Sequence, residues 1–304
     1  MTPPTGRFAP TPSGALHFGS LIAALGSYCA AKSRGGRWLL RIEDVDTPRV
    51  VSGAAEQILR DLEAFGFGWD GEVSWQSQRF DYYRDALEQL WRQGDCFACA
   101  CSRRSLREQG VASGPLGQVY PGNCRDRSLD ADGHSLRMST AKAGEIGFDD
   151  RVYGHFSLDL ERDVGDFVLR RRDRIYAYHL AVVVDDQLQG IDEIVRGADL
   201  LENTCLHIHL QRRLGYATPR YAHLPLVNNA DGVKLSKQTG ATPLRHRQAS
   251  SALVAALDHL AQHPPTGLER ESPATILDWS VSNWSIEAVT ATPGTGIVDD
   301  GDSR

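Results

Sequence analysis

The 304-residue chain contains no uninterrupted apolar run of about 18 residues, the length a membrane-crossing helix needs. Its first residues, MTPPTGRF, lack the charged and then apolar pattern of a secretory leader. Positive charge is not in surplus. Lys and Arg number 33 against 39 Asp and Glu, a formal net charge of -6. A protein that coats nucleic acid is usually basic, so any nucleic-acid contact is expected to be a local patch. Internal repeats are missing too. Six cysteines without a secretory leader point to reduced thiols or metal ligands, not to a disulfide framework. A cytoplasmic setting, with no membrane, is the default expectation. The rest is ordinary: 41% hydrophobic and 24% charged residues suit a globular enzyme with a good core and room for two domains.

The chain is organised around Arg7 to Ser20, RFAPTPSGALHFGS. Pro10, Pro12 and Gly14 make the first half a loop. Phe18, Leu21, Ile22, Leu25 and Cys29 then fall at the spacing of one buried helical face, and Gly35-Gly36 stops that helix. A loop feeding a helix N-terminus presents free N–H groups and the positive end of the dipole, which suits a phosphate. His17 and Ser20 sit on its first turn. Arg37 to Ile42 reads as a buried strand, and Glu43, Asp44 and Asp46 follow it. Carboxylates at the carboxyl end of a strand suggest a site in an open α/β sheet. Further helices are expected from Ser52, as cap, to Phe65 and from Gln78 to Gln93. Alternating strands and helices predict a parallel sheet with crossovers.

The character changes at residues 96–124. Cys96, Cys99, Cys101 and Cys124 lie here, with Tyr120 four residues before the last. Such a cluster suits a zinc knuckle, with an all-cysteine site open, or else a set of small buried hydrophobes. Asp130 to His155 reads as irregular strands and turns. Asp166 to Arg170 is a strand, and Arg170 to Arg174 is a basic turn beyond it. Tyr178, an apolar run ending in Asp185-Asp186, and Ile194 to Gly197 with Arg196 at its exit come next. Asp199 caps a helix running to Leu214. His207 and His209 on that helix face different ways and do not form a metal pair. Asn228 to Thr239 is a polar loop in which Lys234 and Lys237 can neutralise polyphosphate charge. Two short helices follow, and the last residues are too polar to repay ordering.

Three pieces in this order, PTPSGALHFGS, Arg-Ile-Glu-Asp and VKLSKQ, resemble the class I aminoacyl-tRNA synthetases of the glutamyl and glutaminyl branch. His17-Phe18-Gly19-Ser20 is similar to the class's HIGH signature, and Lys234 to Gln238 to its KMSKS signature. The likeness covers about residues 6–245. HFGS, the Cys-x-Cys, the Tyr-x-x-x-Cys and the short region after the lysines resemble the glutamyl-Q tRNA(Asp) synthetase family.

The resemblance implies an α/β fold: a Rossmann-type catalytic core split between residues 1–95 and 166–245, and an inserted zinc-binding subdomain at 96–165. A short helical part at 246–290 and a disordered tail at 291–304 complete it. It implies ATP-dependent activation of L-glutamate and transfer to the queuosine cyclopentenediol of tRNA(Asp), by a monomer. His17, Lys234 and Lys237 would serve catalysis, and His17, Gly19, Ser20 and Lys237 would bind ATP with Mg2+. Arg7, Phe8, Ala9, Pro10, Thr11, Glu43, Tyr178 and Arg196 would bind glutamate. Cys99, Cys101, Tyr120 and Cys124 would hold one structural Zn2+, with Cys96 as the alternative ligand. Ordinary 3′-end glutamylation and a non-catalytic RNA-binding paralogue are the rival readings.

Overall fold

The apolar stripe after His17 folds as the helix Phe18–Lys32, with Leu21, Ile22, Leu25 and Cys29 all buried. Each such aliphatic side chain contributes about 1.5–3 kcal/mol when removed from water. The computed structural model describes residues 2–227 and 243–291. Within them the strand Thr5–Phe8 pairs in parallel with Arg37–Ile42, which pairs in parallel with Ser74–Trp75. On its other side Thr5–Phe8 lies against Glu193–Gly197, joined by Asp192 N donating to Thr5 O at 3.1 Å. Glu193–Gly197 pairs in parallel with Arg220–Leu224. The spatial order is therefore that of a doubly wound sheet, and the chain reverses direction of travel between Thr5–Phe8 and Glu193–Gly197. Ligands in such sheets bind outside the carboxyl ends of the strands, at that switch point.

One core packs the Phe18–Lys32 helix, Trp38, Leu40 and Ile42 against the C-terminal helices Ala249–His259 and Pro273–Asn283. A second joins the helix Phe80–Arg92 to the helices Tyr178–Leu188 and Asn203–Leu214. A small third cluster holds Cys99, Leu106, Tyr120 and Cys124.

Several local expectations change. Residues 130–155 carry regular strands, Ser135–Met138 and Glu145–Asp150, the latter in a hairpin with Gly154–Asp159. The helix after Ser52 begins at Ala54, on Gly53 at φ 75°, without a side-chain cap. Asp199 lies in a 3-10 turn, and its helix starts at Asn203. The basic turn is indeed a hairpin tip: Arg171 N donates to Ile175 O at 2.8 Å and Arg174 adopts φ 67°. Among the described residues no helix is long and apolar enough to cross a membrane.

Candidate active site

Arg7 and Arg196 lie on two strands and Glu43 directly follows a third, all at the carboxyl ends of the sheet. All three are buried. Arg7 Nε donates to Asp186 Oδ1 at 3.1 Å, and Arg41 Nη1 donates to the same oxygen at 2.8 Å. Arg41 Nη2 reaches Glu43 Oε1 at 3.3 Å. Asp185 accepts from Arg79 Nε at 2.6 Å, Tyr83 at 2.7 Å and Gln76 at 2.9 Å. Three arginines thus balance three carboxylates beneath the sheet edge. Burial disfavours the charge on Asp186, but Arg7 and Arg41 outweigh it and hold its carboxyl below the usual range. Glu43 goes the other way. Burial raises its carboxyl, and Arg41 and Arg7 only partly offset this.

Arg196 has a different environment. Its Nε donates to His223 Nε2 at 3.2 Å and its Nη2 to Thr204 Oγ1 at 2.8 Å and Leu200 O at 3.2 Å. Its Nη1 makes longer contacts of 3.3 Å with Tyr178 OH and His207 Nδ1. Every one of these acceptors is neutral, and Arg196 has no carboxylate partner among the described residues. His223 is fixed in turn by Asp150, whose Oδ2 lies 2.7 Å from Nδ1. That leaves Nε2 bare to accept from Arg196. Burial and the nearby guanidinium push His179 down to about 4 and His207 well below its ordinary value, so both stay neutral. Burial pushes Tyr178 up to about 12, against the pull of Arg196.

The lead-in loop crosses above these groups. Pro10 O accepts from Glu43 N at 3.0 Å, and Thr11 lines the same cleft as Glu43 and Tyr178. The Phe8 side chain instead packs into the core, its ring 6.2 Å from Trp38. Ala9 is half-buried beside it. Gly14 turns the chain at φ 136°. His17 then caps the helix, its Nδ1 accepting from Ser20 N at 3.4 Å. A Cβ on Gly19 would stand 3.2 Å from that ring, so the glycine makes room for it. Lys234 and Lys237 lie outside the described residues. The chain re-enters the described part at Pro243, which bridges to His17.

The model of class I tRNA synthetases (E and Q), catalytic domain, matches residues 5–252. A glutamyl-Q tRNA(Asp) synthetase of Aromatoleum aromaticum is 52% identical over 285 residues, 93% of this chain and 90% of that protein. One of Dechloromonas aromatica is 51% identical over 292 residues, 95% and 96% of the two chains. The chain belongs to the glutamyl-Q tRNA(Asp) synthetase family. It is thus an aminoacyl-transfer ligase on a class I catalytic fold. A glutamate tRNA ligase of Elizabethkingia meningosepticum, solved in complex with its amino acid, superposes with a TM-score of 0.80 at 25% identity. That match covers 96% of this chain and 66% of the ligase.

The family core carries a cysteine module. Sγ atoms of Cys99, Cys101 and Cys124 lie within 4.8 Å of one another. The Tyr120 hydroxyl sits among them, 3.2 Å from Cys99 Sγ and 3.7 Å from Cys101 Sγ. Arg137 Nε donates to Cys99 Sγ at 3.2 Å, with its guanidinium 4.1 Å from the centre of the Tyr120 ring. Although burial works against it, hydrogen bonds from Tyr120 and its neighbours bring the Cys124 thiol down to about 7. Three convergent sulfurs and a phenol form a donor set that fits a thiophilic metal, and the adjacent Arg137 offsets thiolate charge. Cys96 does not join it. Three residues along one strand point to opposite faces, and Cys96 packs with Leu136 and Met138 in the second core.

Sequence reasoning left out Arg41, the roles of Asp185 and Asp186, and the His223–Asp150 pair. One signal was available for the first: Arg41 is a charge inside the apolar run from Trp38 to Ile42, and the structure buries it fully.

Proposed function

We propose that this protein activates L-glutamate with ATP, without tRNA, and transfers the glutamyl group to the queuosine cyclopentenediol of tRNA(Asp). The observation that carries this reading is Arg196, a buried cation held only by neutral groups among the described residues, in contact with the Tyr178 hydroxyl, which lines a cleft together with Glu43. Glutamate brings two carboxylates and one ammonium. Arg196 takes one carboxylate as a charge-assisted bond, replacing its long contacts to Tyr178 and His207. Arg7 supports the other, and Glu43 accepts from the ammonium. The backbone of residues 8–11 closes the pocket from above.

Activation joins the substrate carboxylate to the α-phosphorus of ATP and releases pyrophosphate, and no protein nucleophile is needed. Catalysis is alignment plus stabilisation of phosphoryl charge. His17 and the helix N-terminus at Gly19 and Ser20 face the nucleotide, with Lys237 and Lys234 as the further cations. Mg2+ with ATP would add electrophilic stabilisation there. Cys99, Cys101, Tyr120 and Cys124 would hold one structural Zn2+, since four protein ligands close a site. A queuosine hydroxyl then attacks the activated carbonyl and AMP leaves. We also read residues 96–165 as an insertion into the catalytic core, and the protein as a cytoplasmic monomer.

The test is glutamate-dependent ATP–pyrophosphate exchange without tRNA, followed by transfer of labelled glutamate to tRNA with and without queuosine. Exchange, together with transfer that periodate treatment of the queuosine diol abolishes, is the expected result. Transfer that survives loss of the diol but needs an intact 3′ terminus would overturn the acceptor assignment. Absence of exchange would overturn the enzyme reading.

A further inference from the structure

Thr11, Glu43 and Tyr178 of the proposed glutamate site belong to a larger cleft, about 860 Å³ in volume. Its walls come from two separate places. One wall is the start of the cysteine module, from Cys101 to Leu106. The other is the basic hairpin, from Arg171 to Tyr176. Arg172 ties the two together, donating from Nη2 to Ala100 O at 2.9 Å. Although the whole chain is acid, the cleft is lined by five arginines (Arg49, Arg103, Arg137, Arg171 and Arg172) and only three carboxylates. All three carboxylates are engaged: Glu43 by Arg41, Asp46 by Arg171 and Asp166 by Arg125. Arg49 and Arg103 are exposed and make no side-chain hydrogen bond or ion pair among the described residues. At the hairpin wall, Tyr176 lies 5.8 Å from the ring of Phe80, which is itself exposed.

We infer that the rim of this cleft is the surface that grips a single-stranded RNA loop. Arg49 and Arg103, exposed and unpaired among the described residues, hold backbone phosphates, Arg172 adds positive charge at the hairpin, and Tyr176 with Phe80 offers a stacking face. Unpaired arginines beside an exposed aromatic are what an unstacked loop requires. The arrangement also explains how an acid protein binds a polyanion: the positive charge is concentrated where the substrate enters. A base splayed from the loop would descend between the two walls towards the activated glutamate. The inference rests on the proposed tRNA acceptor, and it adds the contact surface.

The decisive comparison is the parent against R49Q/R103Q, using queuosine-containing tRNA(Asp) over a series of salt concentrations. Neither arginine has a side-chain partner among the described residues, so folding should be unaffected. Glutamate-dependent pyrophosphate exchange without tRNA should be unchanged. The KM for tRNA should rise at least tenfold at low salt. The slope of log affinity against log salt should fall by about 1.4–1.8, since each of the two phosphate contacts contributes about 0.7–0.9. The control is R104Q, because Arg104 is paired with Glu108 and does not line the cleft. It should change neither quantity. Unchanged tRNA affinity and salt slope in R49Q/R103Q, or an equal effect of R104Q, would overturn the surface assignment. Loss of exchange in the parent would instead count against the enzyme reading itself.

Discussion

Replacing Asp186 with Asn tests whether the network beneath the cleft is held by balanced charge. The change preserves shape and removes one negative charge from a set in which Arg7, Arg41 and Arg79 face Glu43, Asp185 and Asp186. Arg7 Nε and Arg41 Nη1, 3.1 and 2.8 Å from one carboxylate oxygen, would then share a neutral amide oxygen. Arg41 is fully buried, so water does not screen the surplus cation. Removing one partner of a buried pair costs about 3–5 kcal/mol. For a chain of this size each kcal/mol lowers Tm by about 2–4 °C, so calorimetry should record a fall of about 6–20 °C. Asp186 has a carboxyl held below the usual range, so its stabilisation is present at neutral pH and is lost as pH falls through that depressed value. Glu43 has the opposite sign: its carboxyl is raised by burial first, and Asp186 adds to the rise. D186N therefore lets Glu43 ionise at lower pH, and the acid limb of the KM profile for glutamate should shift down. Adding Arg41→Met restores charge parity and should recover about 0.5–3 kcal/mol in a double-mutant cycle. A D186N protein that melts within about 2 °C of the parent, with an unmoved pH profile, would refute the reasoning.

Two further outcomes are expected. Metal analysis of the purified protein should find about one zinc per chain. Cys124→Ala or prolonged chelation should release it and lower Tm, whereas Cys96→Ala should leave the metal content intact. Gly14→Val should lose most pyrophosphate exchange, because φ 136° at that residue excludes a branched side chain. A folded and fully active Gly14→Val protein would show that the turn between the two halves of the lead-in loop is adaptable.

The parts of the site legible in the sequence were those set by local spacing. The helix after His17 followed from one apolar stripe, and Glu43 from its position after a buried strand. The charge network was not legible, because it depends on packing between distant segments. Arg41 and Asp186 are 145 residues apart. The valine run before Asp185 illustrates the difficulty: it lies in the helix Tyr178–Leu188, and a short, wholly buried run has no periodicity to separate helix from strand. The strands Glu145–Asp150 and Gly154–Asp159 were obscured by polar side chains on an exposed hairpin. The cysteines lie close in sequence, but strand pleating decided which face each occupied. Cys96 was thereby parted from Cys99.

The neutral surroundings of Arg196 have a consequence for discriminating between near-identical shapes. Glutamate and glutamine differ at one terminal group and hardly at all in size, so a steric filter cannot separate them. A guanidinium already matched by an internal carboxylate would accept either. Here, among the described residues, no internal counter-charge is supplied, and the histidines around it are kept from titrating. On the proposed reading, only an arriving anion would complete the electrostatics of the pocket, and an amide would leave a buried cation unanswered. Selectivity would then come from a vacancy of charge in the empty protein, not from a contact added when the substrate binds.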